Sequence, residues 1–360
     1  MAGVGALRLQ LLLDDSSIIG VEVTSTRPQV YQLLHGKTPE NVIKLVPALF
    51  SLCGMAQTAV AEAAIAAASN KAFVRRSALE FSIACEAIQE HCWRLLLDWP
   101  KALGLTQLQV DFIRWHGMLR EIGVAQGELV TLKHEIESFW LGMPAKEWLQ
   151  ISELSDLEHW WSNAHSPAGK LFAMLAKIEI EEESVKSLEV PLLPDWTALQ
   201  AQSSCASMLN AEFVARPTWK VAPAETGALA YYTEASMLHH AMQSRQSRVL
   251  ARVLARVYDM LQMLSGNFVG RLDYVGSHGT GFAIAKTARG ILMHKVLINA
   301  DLVQDYWVVA PTEWNFHPAG SLTAGLIGKK GDVKQLLQTV KRHVLSLDPC
   351  VEYELEVVYA

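Results

Sequence analysis

Paired cysteines are what this sequence lacks. Its five cysteines, Cys53, Cys85, Cys92, Cys205 and Cys350, are odd in number and scattered, and no two stand in a Cys-x-x-Cys spacing. A complete thiolate zinc knuckle and a thioredoxin-like dithiol are therefore excluded, and the usage fits a reduced, cytoplasmic protein. Charge of one sign is also scarce: 31 Lys and Arg against 37 Asp and Glu leave a formal charge of −6. That balance gives no support to nucleic-acid binding, which needs concentrated Lys and Arg. Long apolar runs are missing too. Residues 7–13 are apolar but far too short to cross a bilayer, and Asp14-Asp15 end the run. No basic start, apolar core and small-residue cleavage site occur together, so neither export by the usual signal nor membrane insertion is expected.

Repeats, heptads and low-complexity tracts are absent as well. What remains is 51% hydrophobic and 19% charged, with eleven tryptophans, a globular composition suited to a broad core or a sizeable apolar interface. Residues 7–13 and 18–24 read as a hairpin around Asp14-Asp15-Ser16-Ser17, with Glu22 in its second run. After Arg27-Pro28, Thr38, Pro39 and Glu40 form a helix entry, and the helix is expected to run to about Val46, interrupted at Pro47. Residues 57–98 are strongly helical, alanine-rich over 59–68, with a break at Ser69-Asn70. Cys85 and Cys92 share a face with Phe81, Ile88 and Leu95 and read as small buried hydrophobes.

Residues 105–119, 132–140 and 171–180 are further helices, with a loop at 163–169 and a solvated acidic run at 181–184. Irregular sequence from 192 to 226 makes 163–226 a candidate connecting region. Residues 234–264 return to helix. There Arg245, Arg248, Arg252 and Arg256 are expected on a wet face opposite Val249, Leu250, Leu254, Val257 and Leu261. The expected fold is a single α+β, mainly helical domain over 1–360, with small sheets near both ends.

Two cysteines are set apart by their neighbours. Cys53 precedes Gly54, which lets the backbone come close to whatever the thiolate holds. Cys350 follows Asp348-Pro349, a turn that projects the sulfur in a set direction. A thiolate is a soft ligand suited to nickel, zinc, copper(I) or low-spin iron, and simple burial is the competing reading for each cysteine. The run Gly276-Ser277-His278-Gly279-Thr280-Gly281 is a turn, not a dinucleotide fingerprint, because no strand–glycine–helix unit surrounds it.

These motifs, taken in order, resemble the nickel-iron hydrogenase large subunit. Leu52-Cys53-Gly54-Met55-Ala56 is similar to that family's Arg-Ile-Cys-Gly-Val-Cys, and Gly36-Lys37-Thr38-Pro39 precedes it where the family has Gly-Arg-Asp-Pro. Glu225-Thr226-Gly227-Ala228-Leu229-Ala230 is similar to Glu-Thr-Gly-Pro-Leu-Ala, and Ala288 to His294 to Pro-Arg-Gly-x-Leu-x-His. Pro311-Thr312-Glu313-Trp314-Asn315 matches Pro-Thr-x-Trp-Asn, and Asp348-Pro349-Cys350 matches the start of Asp-Pro-Cys-x-x-Cys-x-x-His. The resemblance implies a hydrogenase large-subunit-like helical core. It also implies that Cys53 and Cys350 are metal ligands, that Arg289 lies near diatomic ligands of iron, and that Thr312 and Asn315 make secondary contacts. Glu22 resembles in position the family's proton-relay glutamate.

The departures narrow the function. In the family the second cysteine of each pair bridges nickel and iron, and those positions here are Ala56 and Tyr353. The family histidines are replaced by Val60 and Glu356. The chain ends at Ala360, close after Glu356, so no long C-terminal extension for removal is expected. Two thiolates do not build a bridged binuclear site. The pattern resembles that of the large-subunit-like hydrogenase maturation scaffold, and the resemblance implies no enzymatic activity. Its cargo would be an iron dicyanide-carbonyl fragment, bound transiently, received from hydrogenase maturation proteins and passed to a hydrogenase large-subunit precursor. The alternatives are a metal-free assembly or structural partner in hydrogenase biogenesis, or a divergent mononuclear-metal enzyme drawing its base from Glu22, His278, His294 or Asp348.

Overall fold

The computed structural model describes residues 5–27, 31–50, 52–125, 129–163, 165–182, 190–205, 209–244 and 248–360. Pro28 and Arg245, named above, lie outside the described residues, as do Ala164 of the expected loop and Glu183 and Ser184 of the expected acidic run. The expected hairpin forms from β1 (Leu7–Asp14) and β2 (Ser17–Ser25), antiparallel, with Asp15 in the left-handed region at φ 48°. Alternation does the rest: Leu7, Leu9, Leu11 and Leu13 all point into the core. Helix Pro39–Leu49 starts as expected, with the Thr38 hydroxyl accepting the Asn41 amide. It does not stop at Pro47. That proline sits in the last turn, where it forgoes one intrahelical bond and the helix runs only two residues further.

The alanine-rich stretch is helix Gly54–Ala68, and Asn70 (φ 52°) turns the chain into helix Arg76–Trp93, extended by a π-helical turn Arg94–Asp98. Its small side chains have a reason. The helix lies across a four-stranded antiparallel sheet of β3 (Leu272–Ser277), β4 (Thr280–Thr287), β5 (Gly290–Asn299) and β6 (Leu302–Val309). A Cβ on Gly281 would stand 1.8 Å from the Ala64 carbonyl oxygen, and one on Gly276 would stand 2.7 Å from that of Ala67. The glycine-rich run is thus a hairpin turn, with His278 and Gly279 at φ 51° and 80°, whose flanking glycines let helix and sheet touch.

Two sequence expectations are corrected between residues 163 and 264. The chain re-enters helix at Pro167, not 171, because the Ser166 hydroxyl accepts the Gly169 amide and Pro167 fits the first helical position. The supposed wet face of helix Val249–Leu264 is buried: Arg252 and Arg256 are only 6% and 4% exposed. Helical periodicity cannot distinguish a solvated arginine from one that meets a buried carboxylate.

Strand β7 (Tyr353–Tyr359) runs parallel to β1, from Leu7↔Tyr353 to Leu13↔Tyr359, giving the order β2-β1-β7. The two ends of the chain therefore share one small sheet. The buried β1 leucines pack on Leu336, Val340 and Leu347 of helix Val333–Leu347, which ends at Asp348. The fold is α+β and mainly helical, as expected, with small sheets. No helix among the described residues is long and apolar enough to cross a membrane.

The contact between helix and sheet is directly testable. Gly281→Ala must displace backbone rather than a flexible side chain, and should cost about 3 kcal/mol or more in urea unfolding. Gly117→Ala, in a helix with nothing within 4 Å of the added carbon, should instead stabilise by about 0.5–1 kcal/mol. Equal effects from the two substitutions would contradict the packing described.

Candidate functional site

Cys53 is the residue just before helix Gly54–Ala68, with φ −133°, and its side chain does not cap the helix. That role falls to Glu86, whose carboxylate reaches across from helix Arg76–Trp93 and accepts the Met55 and Ala56 amides at 2.8 and 3.1 Å. An anion at a helix N-terminus is favourably placed. Burial nevertheless dominates, raising the Glu86 carboxyl to about 7 against the pull of those amides. The fully buried Gln57 donates from Nε2 to the Cys53 sulfur at 3.6 Å. Burial, with Glu86 and Cys350 adding to it, pushes the Cys53 thiol up to about 12, while Arg289 and the Gln57 bond oppose the rise.

Cys350 arrives from the other end of the chain. Helix Val333–Leu347 closes on Asp348 at φ 56°, and Pro349 turns the backbone out. The Thr312 hydroxyl, at the start of helix Pro311–Asn315, lies 3.1 Å from the Cys350 sulfur and 3.2 Å from its amide nitrogen. Cys53 and Cys350 are both half-buried and close enough for charge on Cys350 to raise the Cys53 thiol. Arg289 and Arg27 each lie within electrostatic reach of both sulfurs.

Arg289 is held from two sides. Its guanidinium pairs with Glu90 and stands 3.4 Å from Asp348. Asp348 is fully buried and also meets Arg94 at 2.8 Å and Arg256 at 3.0 Å. Burial favours its neutral form, but Arg289, Arg256 and Arg94 together hold the carboxyl well below the usual range. Asn315 is committed to backbone: Oδ1 accepts the Thr226 amide at 2.9 Å, while Nδ2 faces the carbonyls of Arg289 and Leu347 at 3.2 and 3.4 Å. It ties together the segments that carry Arg289 and Cys350.

The structure thus brings Cys53, Cys350, Arg289, Thr312 and Asn315 into one region. Glu22 does not join them; it lies exposed on β2 opposite Gln10. Sequence reasoning missed Gln57, Glu86, Glu90 and Arg27, which pairs with Glu313 at 2.5 Å. A charged residue inside an otherwise apolar helical stretch was the available signal for Glu86 and Glu90. Ala56 is fully buried, Tyr353 opens β7, and Glu356 accepts a bond from Gln10 at 3.1 Å. Among the described residues, no three His, Cys, Asp or Glu side chains are grouped to hold a metal ion. A pocket beside Arg289 is lined by Glu225, Arg252, Arg256, Asn315 and Ser346, and by neither cysteine.

In that pocket Glu225 takes two bonds from Arg252 (2.8 and 2.9 Å) and one from Ser321 (2.7 Å). Burial would raise its carboxyl, but Arg252, Arg248 and Ser321 outweigh it and hold it at about 2, against an ordinary 4.5. A depressed carboxylate stabilises the fold above its unfolded pKa and loses that contribution as pH falls towards the folded one. Glu225→Gln should therefore destabilise at neutral pH by on the order of 3 kcal/mol. Its deficit against the parent should shrink as urea titrations are taken from about pH 5 down to about pH 3. A deficit independent of pH would contradict the ion pair.

Residues 228–352 match the nickel-dependent hydrogenase family model. The chain is 27% identical to the hydrogenase expression/formation protein HoxV of Cupriavidus necator, covering 93% of this chain and 92% of that one. It is 29% identical to HupV of Azotobacter chroococcum and 28% identical to HupK of Azotobacter vinelandii, both also hydrogenase expression/formation proteins, with 99% of each chain covered. Among solved structures, the Ni-Fe-Se hydrogenase of D. vulgaris Hildenborough superposes with a TM-score of 0.60 at 14% identity, covering 94% of both chains. A reduced, active Ni-Fe-Se hydrogenase from Desulfomicrobium baculatum gives 0.57 at 14% identity, over 94% of this chain and 95% of the other. The chain is hydrogenase large-subunit-like in fold and similar, along nearly its whole length, to hydrogenase expression/formation proteins.

Proposed function

We propose that this chain is a non-catalytic, cytoplasmic maturation scaffold. It takes an iron dicyanide-carbonyl fragment from hydrogenase maturation proteins and passes it to a nickel-iron hydrogenase large-subunit precursor. The observation that supports this most is the pairing of two half-buried sulfurs, Cys53 and Cys350, with two guanidinium groups, Arg27 and Arg289, within electrostatic reach of both. Each thiol gives up its proton on taking the iron. Two thiolates and two cyanides then make the bound fragment anionic, and Arg27 and Arg289, although paired with Glu313 and Glu90, stay within electrostatic reach of it. Arg289 keeps N–H groups for a cyanide nitrogen beyond those facing Glu90 and Asp348. Thr312 orients the Cys350 sulfur, and Asn315 fixes the backbone of Arg289. Alanine at 56 and tyrosine at 353 leave no bridging thiolates, so the cargo is held by few protein bonds and is readily released.

A metal-free assembly partner is the second reading, and the absence of a three-ligand group among the described residues is common to both. The two differ in infrared absorbance. Protein co-produced with its maturation partners should carry cyanide and carbonyl bands. Cys53→Ala and Cys350→Ala should each stay folded, within about 1 kcal/mol of the parent, because a thiol-to-methyl change costs little packing. Each should lose most of the bands per folded monomer, while Cys85→Ala and Cys205→Ala keep them. Full bands in either site variant would overturn the cradle, and bands absent from the parent would favour the metal-free partner.

Hydrogen turnover is a separate check. The purified chain supplied with nickel should neither evolve nor oxidise hydrogen, because no bridging thiolates stand at 56 and 353. Turnover that rises with protein purity would end the non-catalytic reading.

A further inference from the structure

One buried chain of hydrogen bonds ends on the Cys53 sulfur. Tyr306 Oη lies 2.7 Å from His294 Nδ1, His294 Nε2 lies 2.8 Å from Gln57 Oε1, and Gln57 Nε2 lies 3.6 Å from Cys53 Sγ, within the longer reach of a sulfur acceptor. Gln57 and His294 are fully buried and Tyr306 is 1% exposed, so water does not compete for these groups. Burial also keeps the ring neutral, lowering its pKa to about 3. An amide oxygen only accepts, so His294 Nε2 carries the proton and Nδ1 accepts from the Tyr306 hydroxyl. With Oε1 facing the ring, the NH2 end of the amide faces the sulfur. The Gln57 backbone N–H also bonds the Cys53 carbonyl at 2.9 Å, which places residue 57 one helical turn beyond Cys53.

We infer that Gln57 is a positioning residue for Cys53, its amide held by the His294–Tyr306 pair so that one N–H is presented to the sulfur. The inference rests on Cys53 being a ligand of the cargo. An N–H aimed at a thiolate stabilises it and draws electron density from it, so iron receives less from that sulfur and the bond breaks more easily. This is a property suited to handing cargo on. Cys350 is served differently, by the Thr312 hydroxyl.

The test compares the parent, Gln57→Met and Tyr306→Phe; the last touches neither amide nor sulfur and still probes the chain of bonds if Gln57→Met fails to fold. In the unloaded chain, alkylation of each cysteine by iodoacetamide at one fixed pH is followed by peptide mass spectrometry. Cys53 should react more slowly by about fivefold in Gln57→Met, and by less in Tyr306→Phe, with the Cys350 rate unchanged. In the loaded chain the carbonyl band should move to lower frequency, at undiminished absorbance per folded monomer. Unchanged Cys53 reactivity in both variants, or equal slowing at Cys350, would overturn the inference. The expected slowing at Cys53 in the variants, together with a parent that carries no bands, would instead overturn the proposed cargo and leave the Gln57–Cys53 contact standing.

Discussion

The carboxylate of Asp348 is the point on which the site depends. It is fully buried and faces guanidinium groups from three places: Arg94 on the π-helical turn, Arg256 on the long helix, and Arg289 in the link from β4 to β5. A buried charge is costly unless matched, and removing one partner of such a pair typically costs about 3–5 kcal/mol. Three elements distant in sequence are therefore drawn to the residue that immediately precedes Pro349-Cys350. The left-handed backbone at Asp348 ends its helix, so the carboxylate and the turn projecting Cys350 are one local feature. The opposing sulfur is fixed separately, by a helix pressed onto glycines of the sheet and capped by Glu86.

Chemistry carried by short motifs was legible in the sequence. Cys53-Gly54, Ala288-Arg289-Gly290 and Asp348-Pro349-Cys350 each have a local reason to be where they are, and the hairpin and alanine-rich helix follow from periodicity. What was not legible depends on distant partners. Arg252 and Arg256 occupy a spacing that normally faces water, and partners outside their own helix, among them Glu225, Ser346 and Asp348, hold them in the interior. The parallel pairing of β7 with β1 joins the two ends of the chain, and no local pattern announces it. Gln57 looked like an ordinary helical residue until His294 and the Cys53 sulfur were found on either side of its amide. Glu22 illustrates the reverse error: a short positional likeness placed it near the chemistry, and strand register places it on an exposed face.

The departures from a four-cysteine pattern have physical consequences. Position 56 is a buried alanine whose amide binds Glu86, and position 353 starts the strand that closes the terminal sheet. Both places are used for structure. What is left is a pair of sulfurs within electrostatic reach of Arg27 and Arg289, each of which is already paired with a carboxylate, Glu313 and Glu90. In the carrier reading proposed above, two bonds to the cargo, one from a sulfur facing an amide N–H and the other from a sulfur facing a hydroxyl, would suit release.

Iron K-edge X-ray absorption on protein isolated with its maturation partners tests the central claim most directly. A two-thiolate cradle predicts two sulfur scatterers per iron, beside the short carbon shell of cyanide and carbonyl, falling to one in Cys53→Ala or Cys350→Ala. Iron with no sulfur neighbours, or with a sulfur count unchanged in either variant, would contradict it.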